Sequence, residues 1–392
     1  MSDEHLESLI LCLATHVLLQ KMKKQLYIIL FILFGREAFV YAQEAQVTPG
    51  EMDRIYHEVK TPYKFGLVMV PPSNDKKMDC PTVFRKGKKW YMTYLTFDGR
   101  GYETWLASSD NLLHWTPQGK LMSFSGEETW DANQKAGYNA LQDITWAGTY
   151  TLNPFKGKYW MSYFGGDAAG YEAGDLSIGL AYTKGEPWVA HEWERLERPL
   201  FTAKDKDVRW WENRKLFKST IMEDKKRLTG HRFVMYYNAN GDSLSNNVKT
   251  RWFERIGMAV SDDMIHWKRY LEEPVVHHPV GITGDAVIQQ IGETYVLFYF
   301  GAFWQDRKGA FNRFAASKDL VHWTDWEGEN LIAPSESYDA LYAHKSFVLK
   351  HEGIVYHFYC AVNKNEQRGI AVATSKDLGK STLHFIAPPE SP

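Results

Sequence analysis

The chain has 392 residues, 44% of them hydrophobic and 24% charged, with a formal net charge of −2. That is ordinary globular composition with enough apolar material for a large core, and its mixed signs exclude the basic footprint of a nucleic-acid binder. Aromatics reach 15%, with 15 Trp and 22 Tyr, which suits rings packed between β-sheets and leaves some to offer flat faces to a ligand.

From the N-terminus, residues 1–21 read as an upstream extension. Met22 opens Met-Lys-Lys-Gln, Leu26 to Phe34 is almost wholly apolar, and Val40-Tyr41-Ala42 is a small-x-small site before Gln43. A basic start, a short apolar run and such an end describe a secretory signal peptide. The run is too short to anchor the chain across a bilayer. The expectation is a periplasmic or secreted chain of residues 43–392, with no membrane partner after cleavage of residues 1–42. Of the three cysteines, Cys80 and Cys360 remain, both in apolar strand-like runs. They read as buried free thiols, since two cysteines make no disulfide framework.

Pro81 to Leu95 reads as strand, a Lys86-Gly87-Lys88 turn, then the aromatic strand Trp90 to Tyr94. Thr149 to Phe164 repeats it around Lys156-Gly157-Lys158. Leu216 to Tyr237 is a divergent copy, and Ala286 to Phe300 and Ser346 to Cys360 turn at Gly292 and Gly353. Gly-containing turns between alternating aromatic runs are hairpin signals. A second phrase follows: Ser109-Asp110-Asn111-Leu112-Leu113-His114-Trp115, Ser261-Asp262-Asp263-Met264-Ile265-His266-Trp267, Ser317-Lys318-Asp319-Leu320-Val321-His322-Trp323, and a truncated Ser375-Lys376-Asp377-Leu378. Asp262, Asp319 and Asp377 stand 57 and 58 residues apart. Each unit reads as four antiparallel strands, and there are five units. Such sheets repeated radially make an all-β fold, a five-bladed β-propeller of four-stranded antiparallel blades. The phrase is structural: the Asp bonds backbone N–H groups and the Trp packs between blades. Repetition on separate blades excludes His114, His266 and His322 as one metal set.

With these units and the opening Met78-Asp79-Cys80-Pro81-Thr82-Val83-Phe84, residues 60–387 resemble the five-bladed propeller glycosidases of glycoside hydrolase families 43, 32 and 117. In a propeller the inner strands open onto one funnel. Here those openings are Asp79, Asp143 to Gly148, Glu212 to Lys218, Asp285, and His344-Lys345. Glycoside hydrolysis needs an acid for the leaving oxygen and a base or nucleophile across the ring. The resemblance implies an inverting enzyme with Asp79 as base and Asp285 orienting the sugar or tuning a partner. For the acid it leaves two candidates: Glu212 by likeness to family 43, His344 by likeness to family 117. A His beside carboxylates is expected to keep its proton near neutral pH.

Asp143, Trp146, Trp211, Lys218, Trp304, Tyr342 and Lys345 are the expected sugar-binding residues. Long stretches at Phe124–Leu141 and Asn238–Arg255 are expected to wall the pocket into a dead end, which favours release of terminal sugars. The expected function is an exo-acting, inverting glycosidase on oligo- or polysaccharides. It needs no cofactor, although a structural or channel cation is compatible with the fold. A non-catalytic carbohydrate-binding propeller would lack carboxylates at the funnel. A glycoside phosphorylase would need a basic phosphate pocket, which keeps Lys218 and Lys345 of interest. Peptidase motifs are absent.

Overall fold

A computed structural model describes residues 46–126, 128–242 and 253–387. The expected signal segment at 1–42 and most of the loop at 238–255 lie outside them. Among the described residues no helix is long and apolar enough to cross a membrane.

The fold is all-β apart from one short helix and a 3-10 turn. The helix, α1 (Pro49–Val59), was not expected, although its signals are in the sequence. Thr48 and Glu51 form a capping box, Pro49 stands at the first turn, and Met52, Ile55 and Val59 fall on one buried face. That face packs against Val296, Phe298, Phe314 and Val348.

The strands pair in antiparallel runs. The first is β2 (Lys77–Lys86), β3 (Lys89–Phe97), β4 (Tyr102–Ser109) and β5 (Thr116–Met122). The second is β6 (Gln134–Asn139), β7 (Tyr159–Gly166), β8 (Ser177–Thr183) and β9 (Glu194–Arg195). Then come β10 (Lys215–Glu223), β11 (Phe233–Asn240), β12 (Glu254–Ser261) and β13 (Trp267–Arg269). β14 (Ile282–Ile291), β15 (Thr294–Ala302), β16 (Ala310–Ser317) and β17 (Thr324–Asp325) follow. The last run is β18 (Tyr342–His351), β19 (Ile354–Val362) and β20 (Arg368–Thr374). Its outer strand comes from the other end of the chain: β1 (Tyr63–Met69) pairs with β20 from Tyr63↔Thr374 to Met69↔Ile370. This explains the truncated last copy of the Ser-Lys-Asp-Leu phrase, which has no strand of its own to follow. Single parallel pairings, Glu254↔Ile282 and Ala310↔Tyr342, tie neighbouring runs together at matching positions.

The repeated phrase is a side-chain-capped turn. Ser317 Oγ accepts from the N–H of Asp319 and Leu320, Asp319 Oδ1 from those of Val321 and His322, and Trp323 Nε1 donates to Leu320 O. In the earlier copies the equivalent residues are Asn111 and Asp263. Asp262, expected in that role, instead pairs with Arg227 and His231. The phrase histidines bond to the Asn or Asp of their own turn at the surface, which accounts for them without a metal.

The second hairpin differs from expectation. Its inner strand is Gln134–Asn139, inside the stretch expected to be loop, and Ala140 to Phe155 is a detour with only isolated bridges. The residues read as an inner-strand opening, Asp143 to Gly148, therefore belong to this detour.

Candidate active site

Four inner strands carry the same irregularity. Across each, three steps on the inner strand face two on its partner: Asp79 to Thr82, Leu216 to Ser219, Gly284 to Val287 and His344 to Phe347. One extra residue is a β-bulge, which turns a side chain out of the strand's alternation. At three of them a non-glycine residue takes the left-handed backbone region: Cys80 (φ 49), Asp285 (φ 60) and Lys345 (φ 58). Such a conformation is costly for a residue with a Cβ and tends to mark a functional position.

The bulges lead to one cavity of about 620 Å³, which Lys218, Asp285, His344 and Lys345 line together with Tyr342 and Arg368. Five of the expected site residues thus meet there: Lys218, Asp285, Tyr342, His344 and Lys345. Asp79 is adjacent but does not line it. Its carboxylate is fully buried, accepting from Cys80 N (3.0 Å), Lys345 Nζ (2.8 Å) and Arg368 Nη1 (3.2 Å). Burial alone lifts a carboxyl, yet the two cations outweigh it and hold Asp79 well below the ordinary range. A carboxylate so committed is a poor base, and its geometry is that of a clamp on Lys345 and Arg368.

His344 differs from expectation as well. Its Nδ1 lies 3.2 Å from Cys360 O, and burial pushes its pKa down to about 3 against the opposing pull of Asp79. Lys345 and Arg368 add to the depression, so the imidazole is neutral near pH 7 and holds no acidic proton to give.

The other expected residues lie elsewhere. Glu212 is buried in the core, with Tyr237 OH donating at 2.6 Å, Arg209 N donating at 3.0 Å and Arg269 Nε 3.0 Å away. A carboxylate with all its lone pairs engaged in the core is structural. Trp211 stacks on Tyr237 and donates to Glu272 O. Asp143 caps its own turn through the N–H of Thr145 and Thr149. Trp146 donates to Glu58 on α1 (2.7 Å). Trp304 stacks on His278 and donates to Ile282 O. None of these lines the cavity.

In their place the fold brings Glu172 and Glu254 to the cavity. Glu254 heads β12, directly after the loop expected to wall the pocket, and its Oε2 accepts from Asn238 Nδ2 at 2.7 Å. Burial, with the neighbouring Glu172 adding to it, pushes Glu254 up to about 8. Gly284 makes room for this contact: a Cβ there would come within 2.7 Å of Asn238 Nδ2. Glu172 sits at φ 49 in the loop after β7. Burial raises its pKa too, but Lys345 and Arg368 oppose the rise. The adjacent Tyr171 is held at the rim by Arg368 Nη1 (2.7 Å to its OH) and by ring contacts with Phe97 and Tyr102. No repeat or motif marks Glu172; Glu254 had the one signal of an acidic residue where a pocket-walling loop re-enters a strand.

Asp79, His344 and Cys360 place one ligand atom each within 4.8 Å of one another. Their chemistry suits a soft cation in kind, but two cations already occupy the Asp79 carboxylate.

An all-β scaffold with a carbohydrate-sized cavity, paired glutamates and one carboxyl kept neutral describes a carbohydrate-active enzyme. No family model matches the chain, and comparison with the curated proteins gives no match. Solved structures do match. One described as a glycoside hydrolase is 52% identical, with a TM-score of 0.84, over 88% of this chain and 100% of that one. Another, described as a complex with RGII, is 53% identical with the same TM-score and coverage. A thermostable family-43 glycoside hydrolase matches at 15% identity and a TM-score of 0.53 over 82% of this chain and 98% of that one, a likeness of fold alone. The chain belongs to the glycoside hydrolases, and its substrate is a carbohydrate.

Proposed function

We propose that the protein is a five-bladed β-propeller glycosidase that removes a terminal sugar with inversion, using Glu254 as acid and Glu172 as base. The antiparallel runs described above are its blades, with β1 completing the last. One observation carries the catalytic reading: a glutamate held to about 8 inside the sugar-sized cavity keeps its proton at neutral pH.

In this mechanism Glu254 donates its proton to the glycosidic oxygen as the bond to the anomeric carbon breaks. Glu172, whose charge Lys345 and Arg368 favour, takes a proton from the water that attacks the anomeric carbon. The enzyme ends with Glu172 protonated and Glu254 ionised, and exchange with solvent resets both. Asp285, fixed on its bulge at the cavity, binds sugar hydroxyls. No cofactor is required, because both proton transfers run between side chains and water. A single cavity of about 620 Å³ suits one or two sugar rings rather than a long bound polymer, which supports exo action. The expected signal peptide supports export.

RGII, the ligand named for the 53% identical relative, is the first substrate to test. Incubation with RGII oligosaccharides should release one monosaccharide and a product shortened by one residue. Proton NMR during the first turnovers should show the anomer opposite to that of the bond cleaved. Release of internal fragments would reject exo action, and retention of the anomer would reject Glu172 as a simple base.

A further inference from the structure

The cavity's cations are all accounted for by partners except one. Lys345 and Arg368 hold Asp79, Lys215 Nζ donates to Glu172 O (2.6 Å), and Arg214 pairs with Asp242 (2.8 Å). Lys218 is 3% exposed, lines the cavity, and its Nζ has no hydrogen-bond partner. Among the described residues no carboxylate lies within ion-pair distance of it. Its one compensation is the Tyr138 ring, 5.4 Å from Nζ to centroid. Lys218 sits on the β10 bulge, the same device that presents Asp285 and Lys345. A bulge that aims a buried ammonium at a cavity without a counter-charge leaves that charge for an incoming group, since a buried charge is costly until it is paired.

We propose that Lys218 is an oxyanion subsite, binding either a carboxylate carried on a sugar ring or inorganic phosphate. It deepens the active-site reading, but it concerns binding and does not depend on which glutamate is the acid. A charge-assisted hydrogen bond in a buried setting is expected to favour the anion over its neutral counterpart on the order of 10–100-fold in Kd.

The test is calorimetric titration, at constant ionic strength, of galacturonate, glucuronate, galactose, glucose and inorganic phosphate. Wild-type protein should bind a uronate above its neutral sugar, or phosphate above either sugar, by that factor; the tighter arm identifies the source. Lys218→Met should bind anion and neutral sugar alike, and Lys218→Arg should keep the preference. Lys218→Met should also melt no lower than wild type, because it breaks no bond. The proposal is overturned if wild type does not prefer an anion, if Lys218→Met keeps the preference, or if Lys218→Met melts several degrees lower, which would make Lys218 a structural charge. Failure here leaves sugar release from RGII intact, and failure of that release leaves the binding result readable.

Discussion

Replacing Glu254 with Gln keeps the shape and the Asn238 contact of the side chain while removing its proton chemistry. In the folded protein this carboxyl ionises at about 8, against an ordinary 4.5. A folded-state value above the unfolded one means that the unfolded chain gains stability from ionisation first. Wild-type stability therefore falls as pH rises from about 4.5 and levels off above about 8. The interval from 4.5 to about 8, at about 1.4 kcal/mol per pH unit, caps that loss at about 5 kcal/mol. The side chain is part-exposed to the cavity, and solvent screening reduces the figure to about 2 kcal/mol. Gln carries no charge at any pH. Thermal melts should show Glu254→Gln level with wild type near pH 4.5 and progressively more stable by pH 8. Activity should run the other way: on substrates with poor leaving groups the loss should be roughly 10²–10⁴-fold, while activated aryl glycosides, which need no protonation, are partly spared. Wild-type kcat/KM should decline above pH 8 as the acid ionises. A melting difference that stays flat with pH refutes the protonated glutamate. Equal losses on good and poor leaving groups refute its role as acid.

Asp79→Asn should strip two buried cations of their shared partner and cost about 3–5 kcal/mol of stability. A melt within a degree of wild type would show that Lys345 and Arg368 find other partners. Gly284→Ala should push Asn238 off Glu254 through its added Cβ and lower kcat several-fold, with the high-pH limb of the kcat/KM profile displaced; an unchanged profile rejects Asn238 as the residue that positions the acid. Glu212→Gln should weaken the bonds to Tyr237, Arg209 and Arg269 and lower the melting temperature, while kcat of the remaining folded protein holds; a selective loss of kcat would return Glu212 to the site. His344→Gln should leave the pH profile between 5 and 7 unmoved, because a group titrating near 3 changes no charge there.

The repeat units were legible along the chain because hairpins and capped turns are local. Lys156-Gly157-Lys158 makes its turn from its own residues, and Ser317, Asp319 and Trp323 close theirs within seven positions. The polar heads of the inner strands were legible for a related reason: Asp285 and His344-Lys345 interrupt apolar runs where a strand has no need of charge. Local reading failed where the chain leaves the repeat. Thr149 to Phe155 has the pattern of an inner strand, but Gln134–Asn139 takes that place in the sheet, and Asp143 and Trp146 go with the detour. Roles among the polar heads depended on contacts across the fold. Asp79 meets Lys345 and Arg368, which follow it by 266 and 289 positions, and that pairing makes it a clamp. His344 is neutral because the tertiary structure buries it beside those same cations. Glu254 is an acid because folding dries its surroundings and sets Glu172 near it. Sequence by itself determined the strands, their turns and which strand heads are polar, since each depends on neighbours a few residues apart. Only tertiary structure decided which carboxyl keeps its proton and which cation lacks a partner, because burial and charge pairing join residues from every part of the chain.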